Sequence, residues 1–413
     1  MFSALNRWLS RAQTVSVLSI FLLCAVSLAP CVALAQAQTI RAASTDLYSN
    51  SERMVSYRHQ EHMWQTSDGA LHLVINRGTL TPAPGLALFS SFDGGSSWLL
   101  MQALPNTDDE SVLDGQLQGN DLLIAYHTAG NASIVAASLH YDNVARAWST
   151  SRSETAFDNA RLKALNPALA TDSAGTIWCA FVARDRVSNA TDLRMVYRLA
   201  GSNAWTDTGL VFGPTDDQLI ERSARPVPIP KGMGVLYTVH DTLYWATRTN
   251  ELPANSAWTG GAVYTSKPQK SIADPYASHF SSVVDDQANV HLLLVDDYGI
   301  YYLRLAAGAT SWSAARKIGG DTKAVYSQIG LANGKLAVGI SVKRGQGAMF
   351  VSADGGQTFA NIDALKLPPP SSGVNYGTAR VEMPTRSSGP VAMLQQYDDN
   401  GAQRLLLFNV PSP

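Results

Sequence analysis

The chain has 413 residues, of which 46% are hydrophobic and only 15% charged, with a formal net charge of −2. So weak and balanced a charge gives no electrostatic footing for nucleic acid or for an anionic membrane surface, and no basic or acidic block offsets it. The length supports a large core without cross-links.

In chain order, the first element is a leader. Arg7 and Arg11 precede an apolar run from about Val15 to Ala35, broken by Pro30 and closing on Ala33-Leu34-Ala35. A basic start, an apolar centre and a small-residue exit predict a secretory signal peptide over residues 1–37, hence a periplasmic or extracellular protein. The competing readings are a membrane anchor and, from Leu28-Ala29-Pro30-Cys31, a lipoprotein box; Pro30 fits either badly. No later apolar stretch is long enough to span a bilayer. Removing the leader takes Cys24 and Cys31 with it and leaves Cys179 alone, within Ile177-Trp178-Cys179-Ala180-Phe181, as a small buried hydrophobe.

Residues 38–413 read as one domain of repeated units. Short strands rich in β-branched and aromatic residues alternate with Gly, Asp and Asn turns. Aromatic residues that follow a strand and a polar turn recur at 98, 148, 205, 258, 312 and 359, a spacing of 47–57 residues. That is the length of a four-stranded propeller blade. Inner strands are expected to begin near 57, 112, 165, 222, 278, 326 and 378, which makes the fold all-β with about seven blades, or six if one unit is misread. The last unit lacks a fourth strand, and Thr39–Ala43 is the candidate to supply it and close the ring.

Two units share a closer match. Ser91-Phe92-Asp93-Gly94-Gly95-Ser96-Ser97-Trp98 and Ser352-Ala353-Asp354-Gly355-Gly356-Gln357-Thr358-Phe359 both fit S-x-D-x-G-x-[ST]-[WF] after a short apolar strand. The glycines supply angles closed to other residues, and the Asp carboxylate can accept from turn amides. This pattern resembles the Asp-box turns of sialidases and related propellers, where such turns lie at the periphery, away from the active face.

Ligands of propellers usually meet the face on which the inner strands begin. Those starts carry Tyr57-Arg58-His59 with His62, Glu221-Arg222 with Arg225, Asp274 with Tyr276 and His279, Tyr326-Ser327, and Tyr376 with Arg380 and Glu382. Tyr57-Arg58 is similar to the opening blade of sialidases, whose first arginine binds the sialate carboxylate. Tyr326-Ser327-Gln328-Ile329 resembles the segment with the tyrosine nucleophile. The resemblance therefore implies that Arg58 binds a carboxylate and Tyr326 attacks the anomeric carbon, with Arg222 the best second arginine. It departs at His59-Gln60, which replace Ile-Pro, and no motif marks the acid/base Asp or the Glu partner of Tyr326. A guanidinium can bond both oxygens of a carboxylate, and a phenol needs a nearby base to act as nucleophile.

The candidate catalytic residues are Tyr326 and His279, and the candidate substrate-binding residues are Arg58, Arg222, His59 and Arg380. Three functional classes fit them: a sialidase-type glycoside hydrolase, a non-catalytic propeller binding a glycan or a protein, and a polysaccharide lyase with His and Tyr as proton carriers and Arg on a uronate carboxylate. No cofactor or metal is called for, since no Walker loop, H-E-x-x-H, C-x-x-C pair or G-x-S-x-G motif is present. Asp285-Asp286 and Asp296-Asp297 read as solvated turns before they read as Ca²⁺ ligands. Asn131-Ala132-Ser133 and Asn189-Ala190-Thr191 fit the glycosylation sequon.

Overall fold

The structure is a computed structural model; it describes residues 40–55, 59–215, 222–268, 276–321, 323–342, 347–369, 371–376 and 380–411. The leader, Arg58 and Asp274 lie outside these residues.

Seven antiparallel sheets follow one another along the chain, each one blade of a propeller. The inner strands are Met63–Gln65, Leu113–Gln118, Leu162–Thr171, Ala224–Ile229, Phe280–Val284, Ala324–Ala332 and Val381–Glu382, for blades 1 to 7. Each lies within about three residues of its expected start except in blade 1, where it begins at Met63 rather than near 57. Packing explains the burial pattern. Blade faces stack on neighbouring blades, so strands near the axis are covered on both sides and read as apolar runs, as in Ile177–Asp185 of blade 3. Outermost strands such as Ala147–Asp158 of blade 2 keep one face in solvent. Seven apolar clusters result, one at each blade–blade interface. Cys179 is fully buried in one of them, and burial pushes its thiol pKa up.

Blade 7 is composite. Ala43–Ser49 pairs antiparallel with Ala402–Val410 and supplies its outer strand. Closure by N-terminal chain was expected, but from Thr39–Ala43. The alternation in Ala43–Ser49 sets the difference: Thr45, Leu47 and Ser49 point inward, Leu47 entering the core between blades 7 and 1. The preceding Ile40–Arg41 instead runs parallel to the outer strand of blade 6, Ala360–Lys366.

Turns are built by repeated carboxylate networks. In blades 1 and 6 the turn before the outer strand has identical bonding. Asp93 accepts from the Ser97 amide (2.9 Å) and hydroxyl (2.6 Å), while Ser91 Oγ accepts from the Gly95 amide (2.8 Å). Asp354 accepts likewise from Thr358 amide (2.9 Å) and hydroxyl (2.5 Å), and Ser352 Oγ from the Gly356 amide (2.8 Å). A second repeated turn joins inner to second strand. Asp172 accepts from the amides of residues 174 and 176 and from Trp178 Nε1; Asp285 accepts from the amides of residues 287 and 289 and contacts His291 Nε2. The shared offsets of two, four and six residues give Asp285 and His291 structural roles. Its neighbour Asp286 pairs with Arg386, and Asp297 pairs with Lys267.

Candidate functional site

Blade 1 begins late because its lead-in is used elsewhere. His59–His62 passes through the middle of the ring, bonds to blades 2, 3, 4 and 7 and packs against blade 5. The Gln60 amide donates to Pro167 O of blade 3 (2.6 Å), and the Glu61 amide to Asp114 Oδ1 of blade 2 (2.6 Å). The His59 carbonyl accepts from Arg225 of blade 4, and its ring packs on Phe280 of blade 5 at 5.6 Å between centroids. His62 Nδ1 lies 3.1 Å from Glu382 Oε2 of blade 7, whose other oxygen accepts from Gln328 of blade 6 (3.0 Å).

The electrostatic centre of this plug is Arg225. Its guanidinium pairs with Glu61 and, at 3.2 Å, with Asp114, which also accepts from the Leu169 amide at 2.7 Å. Burial pushes both carboxyls above their usual range, and the guanidinium opposes that shift. Burial also acts against the charge on Arg225, but Asp114 and Glu61 outweigh it and hold its pKa above the ordinary value. Glu61 Oε2 accepts in addition from Thr385 Oγ1 (2.5 Å).

Two candidate sites lie on either side of the plug. Where the inner strands end, the channel opens into a cavity of about 370 Å³. Glu61, Arg225 and Thr385 are among its lining residues, with Leu117, Leu169 and Val227 among its walls. Blade 6 gives no inner-strand residue to it, because Arg386–Ser387 runs parallel along the inner edge of that blade and stands in its place.

Where the inner strands begin, blades 5, 6 and 7 bring three of the predicted residues together. The rings of His279 and Tyr326 are stacked, 6.3 Å apart and 11° from parallel. Arg380 Cζ is 5.9 Å from the centroid of the Tyr326 ring, and its guanidinium also donates to Val55 O. His279 is buried, with Tyr276 edge-on at 6.0 Å, whereas Tyr326 and Arg380 are half-buried.

Of the other predicted residues, His59 and Arg222 sit apart from this group. Arg58 lies outside the described residues. His59 belongs to the plug. Arg222 is buried and donates to the carbonyls of Thr191 (2.7 Å), Pro214 (3.0 Å) and Phe212 (3.4 Å), stapling blade 3 to the lead-in of blade 4. It precedes the inner strand, and its side chain turns outward along the blade 3 edge. Arg225, the second residue of that strand, turns into the channel. Asp114 and Glu382 are likewise second residues of their inner strands, so a charge recurs at one register position in three blades. That periodic charge in a chain poor in charge was the available signal for the plug.

No protein-family model matches the chain, and no curated protein matches it. Solved structures do. A candidate 6-phosphogluconolactonase of Bacteroides fragilis is 13% identical, with 84% of this chain and 98% of that one covered and a TM-score of 0.50. Polysaccharide lyase Uly1 is 10% identical over 91% and 97% of the two chains, with a TM-score of 0.46. The Aleuria aurantia lectin AAL is 10% identical over 76% and 98%, with a TM-score of 0.45. At such identities the likeness is one of fold: this chain is a seven-bladed β-propeller.

Proposed function

We propose that the protein is a secreted propeller that engages carbohydrate on the face where its inner strands begin, and that it cleaves uronate-containing glycans there by β-elimination. The observation that carries this reading is the grouping of His279, Tyr326 and Arg380. Arg380 would neutralise the uronate carboxylate and make the adjacent C–H proton more acidic. Tyr326, with His279 behind it, would carry protons. One group takes the proton from the carbon beside the carboxylate, the C–O bond to the leaving sugar breaks, a carbon–carbon double bond forms, and the departing oxygen is protonated.

Sialoside hydrolysis asks for Arg58, Arg222 and a further arginine at one point. The commitment of Arg222 to three backbone carbonyls favours the elimination reading over it. A panel of uronate polysaccharides and sialylated glycans tests the choice, read by the ultraviolet absorbance of the unsaturated uronate and by released sialic acid. Elimination is expected, with Tyr326→Phe reducing it by about 10²-fold or more and Arg380→Ala raising KM. Release of sialic acid without elimination would replace this reading with the hydrolase one. Binding without turnover of either class would leave a lectin-like propeller.

A further inference from the structure

We propose that Arg77 is an anion site and that it takes a second acidic group, a carboxylate or a sulfate ester, of the glycan engaged by His279, Tyr326 and Arg380; the glycan as source rests on that reading, the anion site itself does not. Four arginines are buried among the described residues, Arg77, Arg222, Arg225 and Arg248. Three of them have acceptors. Arg222 donates to three backbone carbonyls, Arg225 pairs with Glu61 and Asp114, and Arg248 donates to Leu252 O. Arg77 is different. Only 7% of the residue is exposed, yet no carboxylate or carbonyl of the described residues lies within bonding reach of its guanidinium. It has two rings instead, with Cζ 5.8 Å from the centroid of Tyr48 and 6.0 Å from that of Phe89. Ring faces attract a cation, but they do not satisfy five N–H donors. A buried charge without a counter-charge is costly, so the position calls for an anion from solution, and the planar fork suits a carboxylate or a sulfate. The guanidinium is open to one. Nε of Arg248 and of Arg304 is sealed from solvent, whereas no nitrogen of Arg77 is, and the adjoining Tyr48 is 44% exposed. Arg404 Cζ lies 5.9 Å from the centroid of the same Tyr48 ring, but Asp399 holds Arg404 at 2.7 Å, so of the two guanidiniums at Tyr48 only Arg77 is unmet. The position joins this site to the proposed one. Arg77 directly follows the second strand of blade 1, Leu71–Asn76, at the end of the ring where the inner strands begin. The Asn76 amide donates to Met54 O (2.9 Å) and Arg380 donates to Val55 O, so one stretch of chain borders both cations.

Thermal unfolding of the full-length protein and of Arg77→Met in chloride, sulfate and acetate at matched ionic strength tests the site. In chloride the variant is expected to melt about 1–2 °C above wild type, because an unpaired buried charge has been removed. Sulfate stabilises proteins generally, so the readout is the increment of wild type over the variant. Wild type should gain on the variant in sulfate, in acetate or in both; the first alone assigns a sulfate ester and the second alone a carboxylate. A variant that melts below wild type in chloride, or does not fold, makes Arg77 a structural residue and overturns the proposal, as do equal responses of the two proteins to both anions. For the glycan, Arg77→Met should raise KM for a uronate polymer (Kd where the polymer is bound without turnover) at least about fivefold, with a smaller effect on a monosaccharide uronate, which cannot reach both cations. An equal effect on the two would refute the glycan as the source of the anion. Arg77→Met leaves His279, Tyr326 and Arg380 in place and the melting increments need no turnover, so this proposal can fail while the elimination reading stands, and the reverse holds too.

Discussion

Replacing Arg225 by methionine is the most direct test of the plug. The change keeps much of the aliphatic volume but removes the one cation between Glu61 and Asp114, and with it a bond to the His59 carbonyl. Stranding one partner of a buried pair costs about 3–5 kcal/mol, and an orphaned carbonyl adds about 1 kcal/mol. Unfolding entropy of about 2.1 cal/mol/K per residue gives roughly 0.8 kcal/mol/K for a domain of this size, so about 5 kcal/mol lowers Tm by about 6 °C. The pH dependence is more diagnostic than the size. Both carboxyls have folded-state pKa values raised above their unfolded ones, so the folded state holds more protons and stability falls as pH rises through the raised values. Arg225 is the principal group holding that rise in check, with His62 and Glu382 the further charges nearby. Without Arg225 the upward shift grows, so the deficit of Arg225→Met should be large at pH 8 and shrink toward pH 5. Urea unfolding followed by circular dichroism at the two pH values measures it. A loss below about 1 kcal/mol, or one that does not change with pH, would refute the account of the plug as a charge-deficient buried cluster.

The turns and the ring closure give further tests. Gly355→Ala meets no atom within 4 Å and carries only the strain of φ +66°, so it should cost about 1 kcal/mol. Gly356→Ala should cost clearly more in the same unfolding assay, since its Cβ would lie 1.9 Å from Tyr302 Oη at φ +89°. Asp93 has its pKa lowered to about 2, chiefly by the Ser97 hydroxyl. Its contribution is present above the ordinary carboxyl range and lost as pH falls toward 2, so the Tm difference between wild type and Asp93→Asn should be constant near neutrality and vanish in acid. Leu47→Ala should destabilise by about 2–3 kcal/mol through the cavity left between blades 7 and 1. Deleting residues 40–49 should expose the edge of Ala402–Val410 and produce concentration-dependent association by light scattering.

The blades were legible because their signals are local. Trp98, Trp148, Trp205, Trp258, Trp312 and Phe359 each stand at or just before an outermost strand, and the turn residues that fix the hairpins lie within six positions of one another. The repeated turns at Asp93 and Asp354 say how the chain reverses at the rim; neither carboxylate reaches the channel, which is why they inform on architecture and not on chemistry. Apart from the charge recurring at one register position, the plug was hard to read for the opposite reason. Glu61 meets Asp114, Arg225 and Thr385 across separations of 53, 164 and 324 residues, and nothing adjacent in sequence marks His59-Gln60-Glu61-His62 as anything but the start of a strand. Strand starts also separate the two arginines of blade 4. Arg222 and Arg225 differ by three positions, yet one faces backbone carbonyls between blades and the other faces the axis, and only the strand's true first residue, Ala224, decides which is which. The same rule brings His279, Tyr326 and Arg380 to one end of the ring: each lies within two residues of the first residue of its inner strand. Position relative to strand starts can be read from periodicity. Charge balance across the ring cannot, because it depends on which blades the closed circle brings opposite one another. That balance sets two carboxylates on one guanidinium across the channel, with a cavity beside them.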